Sequence, residues 1–257
     1  MEILEGGKTV KRIMRGAGER ALDVVFPPRS LITGKVATQS GIEAELWSHL
    51  NFLDEPCCYA CGFPFEYNLG EQVLCGRCEI KRPAYDRARS AFKYDNDSRK
   101  LVLAFKHGGR QEGLSVFAQH MKRAGRSLFD GCDGLLPVPL HPSRLRARRY
   151  NQALILARAL SKQTGIAVAP DILQRVKATS SQGGKSYSGR KRNVAGAFAI
   201  RAGARDAVKG KAYILIDDVY TTGSTLEACA KTLKRAGAGR VDTITLARVA
   251  NPQTIPR

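Results

Sequence analysis

Several things are scarce in this sequence, and each scarcity excludes something. No run approaches the roughly 20 consecutive apolar residues that a spanning helix needs. The first residues carry Glu2 and Glu5 with no apolar stretch that could serve as a leader. The expectation is a cytoplasmic protein without a membrane span. Histidine occurs only at His49, His107, His120 and His141, none at metal spacing with another. No Ser-His-Asp or Cys-His set can be assembled, which argues against triad chemistry. The Gly-x-x-x-x-Gly-Lys-Ser/Thr pattern of a Walker loop is absent, which argues against ATP hydrolysis. Acidic residues are few: 23 Asp plus Glu face 42 Lys plus Arg, for a formal charge of +19. A chain of 257 residues with that field attracts polyanions, so nucleic acid, phosphate esters or an anionic surface become candidate partners.

What remains is the composition of a globular protein, 43% hydrophobic with 25 Gly and 11 Pro. Val10, Ile13, Met14, Ala17 and Ala21 recur at helical spacing before Pro27-Pro28. Residues 29–55 are poorly patterned around the single Trp47. From Ala84 the texture changes. Ala88, Ser90, Phe92 and Tyr94 alternate with Arg87, Arg89 and Lys93, the pattern of a half-exposed strand. A helix capped by Asp97 or Ser98 and holding Leu101, Val102 and Phe105 follows, then one marked by Leu114, Phe117, Ala118 and Met121. Leu135–Leu140 reads as a short strand and Ala153–Leu160 as a helix closed by Gly165. Ile172–Val176 and Tyr213–Ile216 read as strands, Leu226–Leu233 as a helix stopped by Gly237, and Val241–Ala247 as a closing strand. Strands alternating with helices predict an α/β domain, a parallel sheet with helices on both faces.

The segment 56–80 is too short to bury a core of its own. It holds Cys58-x-x-Cys61 and Cys75-x-x-Cys78, separated by 13 residues. Two such knuckles give four thiolates in the tetrahedral array of a closed structural zinc site, and Cys57 cannot replace Cys58 without losing the two-residue spacing. Redox use of one pair is the alternative. Cys132 and Cys229 read as small buried hydrophobes.

The most informative string runs from Ile214-Leu215-Ile216 through Asp217-Asp218 and Val219-Tyr220 to Thr221-Thr222-Gly223-Ser224-Thr225. A buried strand leads into a hydroxyl-rich turn that opens a helix. Successive backbone N–H groups at such a turn, with Gly223 allowing close approach, make a monophosphate cradle. Carboxylates beside it would repel the ligand unless they accept from sugar hydroxyls or help to hold a divalent cation. Neighbouring strand residues point to opposite faces, so only one carboxylate can face a ligand squarely while the strand stays regular. The bland alternative is a helix cap beside two strand-end carboxylates.

This string resembles the 5-phosphoribosyl-1-pyrophosphate (PRPP) signature of type I phosphoribosyltransferases, and more closely its form in the ComF family of competence-associated proteins. The resemblance covers roughly residues 56–250. It implies that Asp217 and Asp218 meet the ribose hydroxyls, and that Thr221, Thr222, Gly223, Ser224 and Thr225 hold the 5-phosphate. Leu136–His141 with Arg148, Arg149, Tyr150, Asn151 and Gln152 resembles the family's pyrophosphate-holding element, and Lys106-His107-Gly108 its Lys-x-Gly-like turn. His141, Arg148, Arg149, Asn151, Gln152 and Lys106 would then form the pyrophosphate side. Thr179, Gln182, Ser188, Arg190, Arg192 and Asn193 resemble its hood segment. The implied cofactor at this site is Mg²⁺ with PRPP.

Relatives often carry two zinc ribbons in tandem, and here the first is decayed: Ser30, Thr33, Glu43 and Leu46 stand near where its cysteines belong, so one zinc ion is expected. The resulting division is residues 1–55 as N-terminal helix and degenerate ribbon, 56–83 as zinc ribbon, 84–250 as phosphoribosyltransferase-like domain, and 251–257 as tail. Single-stranded DNA is the second expected ligand, gripped by Arg144, Arg146, Lys185, Arg190 and Arg192 with Tyr150 or Tyr187 stacking on bases, and a component of a DNA-uptake machinery is a further expected partner. Charge runs of this kind are also common as solvated faces. Three readings stay open: a PRPP-binding protein that handles DNA in uptake and transformation, an active phosphoribosyltransferase on an unidentified acceptor, and a zinc-ribbon nucleic-acid binder that uses no PRPP.

Overall fold

The structure is a computed structural model describing residues 47–107, 113–148, 150–178 and 194–250. The N-terminal helix, the degenerate ribbon, the hood segment with Lys185, Arg190 and Arg192, and also Arg149, lie outside the described residues.

The described elements are α1 (Gly76–Ile80), β1 (Ala88–Lys93), α2 (Asn96–His107), α3 (Leu114–Ala124), β2 (Gly134–Pro137), α4 (Pro142–Arg148), α5 (Gln152–Thr164), β3 (Leu173–Arg175), β4 (Phe198–Ile200), β5 (Ala212–Tyr220), α6 (Ser224–Arg235) and β6 (Arg240–Arg248). Four strands form one sheet in the order β1-β6-β5-β2, every pair parallel, while β3 and β4 form a small antiparallel ribbon. The period-2 alternation of β5 explains why both faces are covered. Ile214 and Ile216 join Ile244 and Leu246 under Leu101 and Phe105 of α2, Phe117 and Met121 of α3, and Leu156 and Leu160 of α5. Tyr213 and Leu215 point the other way, to Leu226, Cys229 and Leu233 of α6 and to Phe198. Each such fully buried side chain contributes about 1.5–3 kcal/mol.

Three local expectations change. β1 is not half-exposed: Ala88, Ser90, Ala91 and Phe92 are buried. Its second edge is covered by residues 51–53, where Leu53 N–H donates to Ala91 O (3.0 Å) and Lys93 N–H donates to Asn51 O (2.7 Å). The cap of α2 is Asp95, not Asp97: Ser98 N–H donates to Asp95 Oδ1 (3.0 Å) and Asp95 N–H to Ser98 Oγ (2.8 Å), a reciprocal box. β5 does not stop at Ile216 but continues through both aspartates to Tyr220, paired with β6 up to Arg248.

Trp47 and Phe52 pack as expected, their ring centroids 5.1 Å apart and both within 5 Å of the His120 ring. Cys229 is buried and Cys132 half-buried. No helix among the described residues is long and apolar enough to cross a membrane.

Candidate functional site

The ends of β5 and β2, the C-terminal turn of α2, the helices α4 and α5 and the start of α6 surround one cavity of about 630 Å³. It lies beyond the carboxyl ends of parallel strands, where open α/β sheets bind ligands. Asp217, Asp218, Thr221, Gly223, Ser224 and Thr225 line it on one side, and Lys106, Arg144, Arg148, Asn151 and Gln152 on the other. Residues from three separated stretches of sequence therefore meet here.

The two carboxylates do leave opposite sides of β5, but the cavity wraps the end of the strand, so both reach it. Their environments differ. Asp217 is pushed up to about 7, first by burial and then by the Asp218 carboxylate, although the Asp218 N–H donates to Asp217 Oδ1 (2.9 Å). Asp218 instead faces Lys106, whose Nζ lies 3.2 Å from Oδ2. One carboxyl is thus poised near neutrality beside a second that is neutralised by a cation.

The turn that follows is built for an anion. Gly223 adopts φ +77°, and a Cβ there would stand 2.5 Å from the Tyr220 hydroxyl oxygen. The Thr222 and Ser224 hydroxyls are 2.8 Å apart, and Glu227 N–H donates to Gly223 O (2.8 Å) to close the first turn of α6. Among the described residues, the N–H groups of Thr221, Thr222 and Gly223 donate to no other protein group. Amides left available at the start of a 12-residue helix are what a phosphate monoester requires.

The opposite wall is basic. Arg144 is held below its ordinary value by burial and then by the neighbouring Arg148. Arg148 Nη1 donates to Gln152 Oε1 (3.4 Å), Gln152 Nε2 donates to Lys106 O (3.1 Å), and Asn151 accepts from Ala153 N–H (3.1 Å) and donates to Val138 O (3.1 Å). Gln152 therefore holds the end of α2 that carries Lys106, and Asn151 caps α5 and ties it to the residue after β2.

Not every expected residue converges: Thr222 is buried and lines the far side of the turn, not this cavity. His141 does not line the cavity; its Nδ1 is 2.7 Å from Ser143 Oγ and caps α4. Arg146 is exposed on α4 and also outside the lining, and Tyr150 donates its hydroxyl to Phe105 O (2.9 Å). The cavity also contains Arg175, which the sequence reading missed. It is buried, its guanidinium 5.2 Å from the Phe198 ring centroid, and a charged residue inside the apolar run Ile172–Val176 was the available signal.

The four knuckle cysteines come together as predicted. The sulfurs of Cys58, Cys61, Cys75 and Cys78 all lie within 4.8 Å of one another, and Cys61 and Cys75 are 3.7 Å apart. A tetrahedral site with Zn–S near 2.3 Å has an S···S edge of about 3.8 Å, so the donor set fits. Cys75 N–H donates to Cys58 Sγ (3.3 Å), an outer-shell contact of the kind that orients a ligand sulfur. Hydrogen bonding to Cys58 pushes Cys61 up to about 11 and raises Cys78 as well. Four thiolates this close coexist only with a divalent cation between them.

Residues 151–256 match the phosphoribosyl transferase domain family, and residues 21–79 match the double zinc ribbon domain family. The chain is 30% identical over 200 residues to "Competence protein F" of Haemophilus influenzae, covering 75% of this chain and 85% of that one. It is 33% identical over 196 residues to "DNA utilization protein YhgH" of Salmonella typhimurium, covering 74% and 83%. The chain belongs to the ComF family. A more distant ComF relative, "Competence protein ComFC" of Bacillus subtilis, is 27% identical over 214 residues, covering 76% of this chain and 85% of that one. The fold is that of a type I phosphoribosyltransferase preceded by a zinc ribbon, and the four-cysteine cluster of this ComF chain is a structural zinc centre.

Proposed function

We propose that this protein binds PRPP with Mg²⁺ in the cavity at the end of β5 and serves in the handling of incoming single-stranded DNA during uptake and transformation. The observation that carries the first half is the meeting of Asp217, Asp218, Thr221, Gly223, Ser224 and Thr225 in one cavity, opposite Arg144 and Arg148 and with Lys106 beside Asp218. A 5-phosphate takes the amides, ribose hydroxyls donate to the carboxylates, and the guanidiniums face the pyrophosphate, which suits their permanent charge. Mg²⁺, when bound, supplies charge neutralisation to the pyrophosphate oxygens.

The second half is supported by the names of the relatives, which speak of competence and DNA utilization, and by the charge of +19. Arg146, exposed on α4 and outside the cavity, is available to a nucleic-acid backbone, while Arg144 is shared with the pyrophosphate side. Tyr150, tied to Phe105 O, is poorly placed to stack on bases.

Calorimetric titration with PRPP and Mg²⁺ tests the reading. Saturable binding abolished by Asp217→Ala with Asp218→Ala supports it, whereas binding indifferent to that double change means the turn grips a phosphate without the pentose. A mobility shift with single-stranded DNA across a salt series tests the other half, since an affinity flat with salt contradicts a basic contact surface.

A second reading, phosphoribosyl transfer to an acceptor, is favoured by one observation: a carboxyl held near 7 beside the ribose position can accept a proton from an incoming nucleophile. Release of pyrophosphate in the presence of an acceptor would establish it.

A further inference from the structure

The phosphate turn has two sides. One faces the cavity already described; the other faces a second cavity of about 430 Å³ between the turn and the zinc ribbon, lined by Arg77, Lys81, Tyr85, Thr222 and Glu227 among others. Across it Arg77 Nη2 donates to the backbone carbonyl of Thr222 at 2.7 Å. Arg77 belongs to α1, between the two ligands of the second knuckle. Its backbone is set by Cys78 N–H and Glu79 N–H, both donating to Cys75 O at 2.8 and 3.0 Å.

The direction of that carbonyl fixes more than itself. Thr222 C=O and Gly223 N–H share one peptide plane, and in a trans peptide they point in opposite directions. Holding the Thr222 carbonyl toward the ribbon therefore turns the Gly223 N–H toward the phosphate cavity. The ribbon that supplies Arg77 is itself joined to the sheet. Ala88 N–H donates to Ala60 O (2.7 Å), Arg89 Nη1 donates to Tyr59 O (3.2 Å), and the buried Arg248 donates to Cys61 O. Arg248 also lies 4.5 Å from the ring centroid of Tyr220, the side chain on which Gly223 rests.

From this geometry we infer that the zinc ribbon sets the anion-binding conformation of the phosphate turn, with Arg77 as the positioning residue. Arg77 reaches the turn from behind, lining the ribbon-side cavity and not the one that holds the carboxylates. The consequence for PRPP rests on the function proposed above; the consequence for the turn does not.

Two measurements separate these. The first is hydrogen exchange of the unliganded, zinc-loaded protein over the peptide spanning residues 223–230, whose Glu227 N–H donates to Gly223 O and so reports on the hold of the turn. Arg77→Ala should speed exchange there with zinc content unchanged, Arg77→Lys, which keeps a donor, should restore part of the protection, and removal of zinc by a chelator should speed it at least as much. Unchanged exchange in Arg77→Ala overturns the inference. The second is calorimetry with PRPP and Mg²⁺, where Arg77→Ala should weaken affinity about tenfold, the worth of a hydrogen bond from a charged donor. Lys81→Ala removes a neighbouring charge without touching Thr222 and should change affinity far less. An equal loss in both variants would mean long-range attraction rather than positioning, and overturns the inference. Failure of the wild type to bind PRPP would defeat the proposed function, and the exchange comparison would then decide this inference by itself.

Discussion

Lys106 Nζ stands 3.2 Å from Asp218 Oδ2, joining the last turn of α2 to the end of β5 across the mouth of the cavity. The backbone that carries each side chain is held in place. The Tyr150 hydroxyl and Gln152 Nε2 hold the carbonyls of Phe105 and Lys106, and Asp218 lies within β5 between Asp217 and Val219, both paired with β6. The pair is mostly buried, so its attraction is little screened by salt.

Lys106→Met should therefore act on both partners of the site. Lys106 also lowers the titration of Asp217, so its loss should move that midpoint further up, followed by carbon-13 NMR of labelled aspartate. Affinity for PRPP with Mg²⁺ should fall about tenfold, since breaking one side of a buried pair leaves a carboxylate facing an anionic ligand. An unmoved Asp217 midpoint would show that the two groups are not coupled.

The raised Asp217 gives a pH dependence with a definite sign. In the unfolded chain this carboxyl ionises near pH 4, and in the folded protein at about 7. Between those values the folded state holds a proton that the unfolded state has lost. The stability this proton contributes is complete below about pH 4 and disappears as the pH rises through 7. Ligand binding runs the other way, because ribose hydroxyls donate best to the ionised carboxylate. Affinity for PRPP should be about tenfold tighter at pH 8 than at pH 6, as the ionised fraction grows across a midpoint near 7. Asp217→Asn should leave only the slope owed to the ligand's own phosphates; the same slope in both proteins would exclude Asp217 as its source.

Much of this site is written in local sequence, and the part that is not has a physical reason. The turn Thr221–Thr225 and the paired knuckles are legible because spacing alone determines which backbone or sulfur atoms converge. The parallel α/β class is legible in strands that alternate with helices and in the continuous apolar run of β5, whereas the order β1-β6-β5-β2 depends on contacts between strands distant in sequence. β1 was read as half-exposed because a strand's second face and outer edge are covered by segments distant in sequence, here residues 51–53 and the ribbon. His141 enters the site only through the resemblance to the pyrophosphate-holding element, and a resemblance does not separate a histidine that caps a helix, as this one does, from one that faces a ligand. Arg77 and Arg248 gave no signal. Their role depends on how two modules dock, and neither module's pattern contains that information.

Gly223→Ala should damage both stability and binding. An alanine at φ +77° is strained in itself, and its Cβ would meet the Tyr220 hydroxyl oxygen at 2.5 Å. Together these should cost about 1–3 kcal/mol, read as a lower urea midpoint. Tyr220→Phe leaves the Tyr85 hydroxyl, 2.8 Å away, unpaired in either background, but it also removes the nearest obstructing atom, leaving ring Cζ at 2.7 Å, so adding it to Gly223→Ala should cost somewhat less than adding it to the wild type. Additive losses would mean that the hydroxyl oxygen is not the obstruction, leaving the ring carbons and backbone strain.

The chain should hold one zinc ion, not two. The double zinc ribbon match spans residues 21–79, yet no cysteine precedes Cys57, so the first ribbon has no thiolate to offer. Serine, threonine and leucine do not replace cysteine at a structural zinc site. Elemental analysis should give one zinc per chain, and a value near two would require ligands of another kind before residue 57. Cys58→Ser should lose that zinc, because its sulfur is one of the four that cluster. Cys57→Ser should keep it. Cys57 pairs through its backbone with Pro64, its thiol is pushed up by burial, and it lies outside the cluster. Since the ribbon has little apolar core beyond the cysteines and their immediate neighbours, loss of zinc in Cys58→Ser should also remove the protection of residues 56–80 from proteolysis, while the sheet, held by its own two cores, stays folded.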